Sequence, residues 1–291
     1  MLRKMRSEEM EDSLAYAYAL AQNPQQSSFP IYTDGIKTKE DFAEVLKRDA
    51  SGSCGEVLVY EEQGIRKGLI AYYWDDAERY LSFSIFNVEA GYGRAIPEVY
   101  RYVSGRFPGF TIDFGFPTVN TEVLSALSGL GLRKIEQSFV NVMLFADYEK
   151  QAEAAGIVHV TMENFALFQE LHDPIAADMY WNSERIRAQL SGSPVNTWHV
   201  LLDMRGDQAQ ACIYFVFLQE IKMMEIFGID FRDRRMEPGI LQALLASALN
   251  EAKDAGMKSI YYFTDSTEEQ KIVEALGLKH ISDYSACRGI L

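Results

Sequence analysis

Glu225 is a carboxylate set in an apolar stretch, a setting in which such a group serves as an acid–base catalyst, forms a buried ion pair or turns to solvent at an edge. It stands inside Met223-Met224-Glu225-Ile226-Phe227, whose apolar neighbours are expected to strip water from its carboxylate. Desolvation raises a carboxyl pKa toward the range in which it serves as a general base. Phe231 closes the apolar run, and Arg232, Arg234 and Arg235 follow in a short basic loop suited to gripping phosphate-like anions. Pro238 and Gly239 then open a helix, proline fitting the first turn because its missing N–H has no intrahelical partner there. The amides of Gly239, Ile240, Leu241 and Gln242, at the positive end of the helix dipole, make a ready anion site.

The elements that must position these groups follow from periodicity. Met223 to Phe231 reads as a buried strand, and Leu241, Leu244, Leu245, Ala248, Leu249 and Ala252 recur at helical spacing up to Gly256. Ser259 to Phe263 is a further strand, followed by an amphipathic helix to Ala275 and a last strand. The same order occurs earlier in the chain. Ser128-Gly-Leu-Gly-Leu-Arg-Lys-Ile135 echoes Glu274-Ala-Leu-Gly-Leu-Lys-His-Ile281, and the same offset carries Thr118, Thr121 and Glu122 onto Thr264, Thr267 and Glu268. Small changes of offset, all in loops, pair Gly91 with Gly239 and Val57 and Leu58 with Val200 and Leu201. Collinear matches of this kind indicate a duplicated domain, 1–150 and 151–291. Each half reads as mixed α/β: a short strand, helices, three strands, a helix, a strand, a helix and a long final strand. The second half carries a longer helical stretch from Glu163 to Leu190.

Composition narrows the partners. With 28 basic against 42 acidic residues the formal charge is −14, which argues against nucleic acid and leans toward a cationic small-molecule substrate. No run has membrane-spanning length, and no apolar leader opens the chain. Cys54, Cys212 and Cys287 are sparse and without metal-like spacing, as expected of core positions in a cytoplasmic protein. His159, His172, His199 and His280 form no motif either, so no metal is expected.

The strand–loop–helix–strand order resembles the GNAT (Gcn5-related) N-acetyltransferases over nearly the whole chain, as two tandem GNAT-like acyl-CoA N-acyltransferase domains. In that family the loop after the fourth strand carries R/Q-x-x-G-x-G/A and holds the pyrophosphate of acetyl-CoA. The matching positions here are Met236, Gly239 and Leu241, so one glycine of the motif is kept and two positions differ. The resemblance implies acetyl transfer from acetyl-CoA to a small amine, with Glu225 as base. Its counterpart in the first half is Ser82. It also implies that Gly239 to Gln242, Arg235 and Ser266 contact acetyl-CoA. The region between the first two helices shapes the acceptor pocket, where Trp181 would form a wall and Glu184 would meet an ammonium. The other reading of Tyr180 and Trp181 is core or inter-domain packing. The family's general-acid tyrosine falls on Leu127 and Val273; Tyr284 on the last strand is the substitute considered. The first half is expected to be degenerate and the second to bind acetyl-CoA. The alternative is a non-catalytic GNAT-like ligand-binding or scaffolding protein.

Overall fold

A computed structural model describes residues 1–176, 181–192 and 196–291. The chain divides into two compact units, Met1–Ser138 with Ser282–Leu291, and Phe139–Ile281.

Unit 1 is built on a sheet in the order β1 (Leu2–Lys4), β2 (Gly55–Glu62), β3 (Ile65–Asp75), β4 (Tyr80–Val88), β5 (Thr111–Pro117) and β12 (Lys279–Ile290). Helices α1 (Met10–Ala21) and α2 (Lys39–Ser51) cover one face around Val57, Val59, Leu69, Ala71 and Ile85. Helices α3 (Tyr92–Ser104) and α4 (Thr121–Gly129) cover the other, around Leu58, Ile70, Phe86, Phe114 and Phe116. The alternation of these residues along each strand sends successive side chains to opposite layers.

Unit 2 repeats the plan with β6 (Arg133–Leu144), β11 (Ser259–Thr264), β10 (Met223–Phe231), β9 (Gln208–Leu218), β8 (Asn196–Arg205) and β7 (Ile157–His159). Helices α5 (Phe165–His172) and α6 (Ser183–Leu190) lie on one face; α7 (Pro238–Asp254) and α8 (Thr267–Ala275) lie on the other. The helical stretch expected from Glu163 to Leu190 is thus two helices. Pro174 cannot donate the next helical bond after α5, and Asn182 restarts the helix by accepting the Arg185 N–H at 3.0 Å.

The last strands are exchanged relative to the halves 1–150 and 151–291. From Tyr284 to Ile290, β12 pairs antiparallel with β5, whereas Phe139 to Leu144 of β6 pair with β11. Among the described residues no helix is long and apolar enough to cross a membrane.

Candidate active site

In both units the central parallel pair is short. Strand β10 meets β11 only at Met223↔Ser259, Met224↔Ile260 and Glu225↔Tyr261, and β4 meets β5 only at Tyr80↔Thr111, Leu81↔Ile112 and Ser82↔Asp113. A β-bulge follows at once, leaving Phe227 extra on β10 and Ser84 extra on β4. Bulges bend and twist the strand that carries them, and here the bend opens a cleft between the two parallel strands.

Glu225 occupies the vertex of that cleft in unit 2 and is half-buried. Directly opposed residues of an antiparallel pair share a face, and Glu225 is opposite Val216. Val216 belongs to the cluster under α5 and α6, with Trp198 buried and Trp181 and Phe227 packed against it. Glu225 therefore faces the α5/α6 layer, while Met224 and Ile226 point into the α7/α8 core. An aromatic wall stands on the same face: Trp198 stacks on Phe227 with centroids 4.8 Å apart, and Trp181 lies 4.4 Å from Trp198. His172 holds this wall in place. Its Nε2 bonds the Trp181 carbonyl at 2.8 Å, and its Nδ1 lies 2.6 Å from Asp230 Oδ2. The carbonyl can only accept, so Nε2 carries a proton. The Cys212 thiol donates to the same Asp230 oxygen, and burial with the Asp230 charge pushes the thiol pKa well up, which leaves it unreactive.

At the mouth of the same unit, α7 starts after Glu237, which is paired with Arg205 at 3.0 Å, and no side chain caps the helix. A Cβ built at Gly239 meets nothing within 4 Å. The Leu241 N–H bonds Glu237 O at 2.9 Å and the Leu241 side chain is in the core. Leu241 thus does not offer its amide to an anion, a correction to the sequence expectation that the helix geometry itself imposes. Gly239 and Ile240 retain first-turn amides. Of the three loop arginines, Arg232 bonds Ala209 O and Glu170 and Arg234 bonds Pro174 O. Arg235 is exposed and has no partner among the described residues. Gln242 is exposed on the second turn, and Glu184 is exposed at the start of α6. Ser266 is the N-cap of α8, its Oγ accepting the Glu269 N–H at 3.1 Å. Tyr180 lies outside the described residues.

Tyr284 is not in this unit. The strand exchange puts it in unit 1 beside β5, with its ring 5.0 Å from Phe29 and its hydroxyl in the space that a side chain on Gly115 would take. It lines a cavity of 420 Å³ with Tyr80, Ser82, Asp113, Arg48 and Arg288. Arg288 clamps Asp113 through two bonds of 2.7 Å, and Tyr80 donates to Asp113 at 3.1 Å. Burial, then the charges of Glu136 and Asp113, pushes the Tyr284 phenol up.

Beyond that cavity the splayed ends of β4 and β5 are bridged by the chain itself. Val88 N–H bonds Gln26 O at 2.9 Å, Phe86 N–H bonds Ser28 Oγ at 2.8 Å, and Phe29 N–H bonds Gly115 O at 3.0 Å. Tyr92 adds a hydroxyl bond to Phe86 O at 3.1 Å. The N-terminus of α3 is likewise taken, since Gly93 N–H bonds Glu122 Oε1 at 2.9 Å and Arg94 pairs with Glu62. The sequence reading missed this bridge, as it missed Trp198 and Phe227. The bridge is a polar loop with no local signal, whereas the two aromatics were visible as strand residues and only their shared face was not.

Two units of this topology, each with a bulged fourth strand splaying from its parallel neighbour ahead of a helix N-terminus, have the GNAT fold. No family model and no curated protein sequence matches the chain. Solved structures do. A GCN5-related N-acetyltransferase from Sphaerobacter thermophilus aligns at 14% identity over 100% of this chain and 95% of that one, with a TM-score of 0.67. A tandem GNAT protein from the clavulanic acid biosynthesis pathway aligns at 9% identity over 100% and 98%, with a TM-score of 0.57. An acetyltransferase described as putative, from Pyrococcus horikoshii, aligns at 10% identity over 100% and 89%, with a TM-score of 0.53. At these identities the likeness is one of fold.

Proposed function

We propose that this protein is an N-acyltransferase that moves an acetyl group from acetyl-CoA to a small amine, and that unit 2 does the work. The observation that carries this reading is the position of Glu225: a carboxylate at the vertex of the splayed β10/β11 pair, on the face that also bears Trp181, Trp198 and Phe227. The first-turn amides of Gly239 and Ile240, with Arg235, suit the pyrophosphate, and the open space over Gly239 suits a close approach. Glu225 takes the proton of the incoming ammonium, directly or through a water, while Glu184 and the aromatic wall orient the amine. N–H groups on the open edge of β10 stabilise the oxyanion that develops at the thioester carbon. The leaving thiolate regains a proton from the amine or from water, since Tyr284 belongs to the other unit.

Glu225→Gln keeps shape and removes the base. Acetyl-CoA affinity by calorimetry should be unchanged, and amine-dependent turnover at neutral pH should fall by about 10²- to 10⁴-fold. Full turnover in the variant would remove Glu225 as base. The alternative, a ligand-binding or scaffolding protein, draws on Met236, which packs against the core and offers no cation at the first motif position. It predicts acetyl-CoA binding without consumption for every amine tested.

A further inference from the structure

On the α7 face of unit 2, opposite to the face that bears Glu225, three side chains from three elements converge. His159 ends the edge strand β7, His199 lies on β8, and Glu251 lies in the last turns of α7. His159 is opposite Leu201, so His159 and His199 are diagonal neighbours on one sheet face. His159 Nε2 is 2.8 Å from Glu251 Oε1, and His199 Nδ1 is 3.4 Å from Glu251 Oε2. One donor atom from each of the three lies within 4.8 Å of the others. The His199 ring is held parallel to Phe215, 6° between planes at 5.2 Å, and sits 4.5 Å from Phe217. Its Nε2 is buried without a hydrogen-bond partner among the described residues, so Glu251 is the one polar group this ring addresses.

We propose that His159, His199 and Glu251 bind one divalent transition-metal ion of the zinc class. Two imidazoles and a carboxylate are the donor set of borderline cations such as Zn²⁺, Ni²⁺ or Co²⁺; Ca²⁺ and Mg²⁺ want all-oxygen shells. Tetrahedral bonds of about 2.0–2.2 Å set ligand atoms roughly 3.3–3.5 Å apart. The His199–Glu251 separation already meets this, and the exposed His159 side chain opens its shorter contact by rotating. Binding replaces the two histidine–Glu251 contacts with coordinate bonds and leaves one position to water. The ion fastens a three-residue edge strand to α7. It takes no part in acetyl transfer, since Glu225 faces the other layer.

The test uses tag-free, EDTA-treated protein. Zn²⁺ titrated by calorimetry should bind at one site per chain with micromolar or tighter affinity and raise the thermal midpoint, EDTA should reverse the rise, and Mg²⁺ should have no effect. Co²⁺ should give the visible absorption of a four-coordinate site. His159→Ala, whose side chain is exposed, and the isosteric Glu251→Gln should each weaken Zn²⁺ by more than about 100-fold, beyond the range of outer-shell effects. His280→Ala, at an exposed histidine elsewhere in the unit, should bind as wild type. Wild-type Zn²⁺ affinity in both ligand variants, or no saturable binding by the parent, overturns the site.

Discussion

Glu225 and Ser82 hold one position in two copies: each is the last register of its parallel pair, and each stands two residues before its bulge. A lone hydroxyl does not deprotonate an ammonium at neutral pH, so this position is one point at which the units differ chemically. Moving the carboxylate tests whether it is sufficient. Glu225→Gln combined with Ser82→Glu should stay as inactive as Glu225→Gln, because Gln26, Ser28 and Phe29 still bridge the splayed ends of β4 and β5. Recovered turnover would transfer the reaction to unit 1. A second residue, Glu56, ties β2 to β3 and α3 through Tyr72, Tyr102 and Arg106. Burial pulls its pKa up, but bonds from Tyr72 and Arg106 prevail and hold it below the ordinary 4.5. A carboxyl lowered by folding contributes stability above its unfolded pKa, and that stability is lost as pH falls through the folded value. Glu56→Gln should therefore cost about 2 kcal/mol at pH 7. The penalty should shrink in urea unfolding below about pH 4. A penalty independent of pH would mean that packing, not charge, is what Glu56 supplies.

At the scale of elements, the two helix N-termini differ in what they leave open. The N-terminus of α3 is occupied by Glu122 and starts from Gly91 at φ +83, while that of α7 starts beside Gly239 with no steric neighbour. Leucine at the two glycines should have opposite effects. At Gly91 the left-handed backbone makes any side chain cost about 1–2 kcal/mol, with acetyl-CoA binding unchanged. At Gly239 denaturation should be unchanged and acetyl-CoA affinity should fall at least about tenfold, a loss of 1.4 kcal/mol or more. If Gly91→Leu were the change that weakened binding, the pyrophosphate would belong to α3. Most of these elements were legible in the sequence because hydrophobic periodicity is local, and α7 runs from Pro238 as its leucine spacing indicates. The bulges at Ser84 and Phe227 were not, because a bulge is a property of a pair of strands. Nor was the bridging loop, whose function rests on hydrogen bonds from Gln26, Ser28 and Phe29 to strands far along the chain. The histidine–glutamate trio is invisible for the same reason: its members meet only once β7, β8 and α7 are packed.

At the scale of the whole molecule, the repeat was legible and the assignment of its last strands was not. The two Leu-Gly-Leu segments, Leu130 to Leu132 and Leu276 to Leu278, lead into strands of similar pattern, and pattern alone cannot say which sheet each one completes. The structure gives β12 to unit 1 and the second part of β6 to unit 2. Cutting the chain at 150/151 then removes from unit 2 not only the partner of β11 but Met143, Phe145 and Tyr148, all buried in the core under α7 and α8. Losing one large core side chain costs about 2–5 kcal/mol. Losing three approaches the whole 5–15 kcal/mol that holds a typical domain folded. A fragment of residues 151–291 should therefore show no cooperative urea transition and poor amide dispersion by NMR. A fragment of residues 139–281, shorter at its C-terminal end but carrying these side chains and the β6 partner of β11, should unfold cooperatively with dispersed amides. Cooperative unfolding of 151–291 would show that its own final strand can close the unit 2 sheet, and that the exchange adds nothing to the stability of that unit.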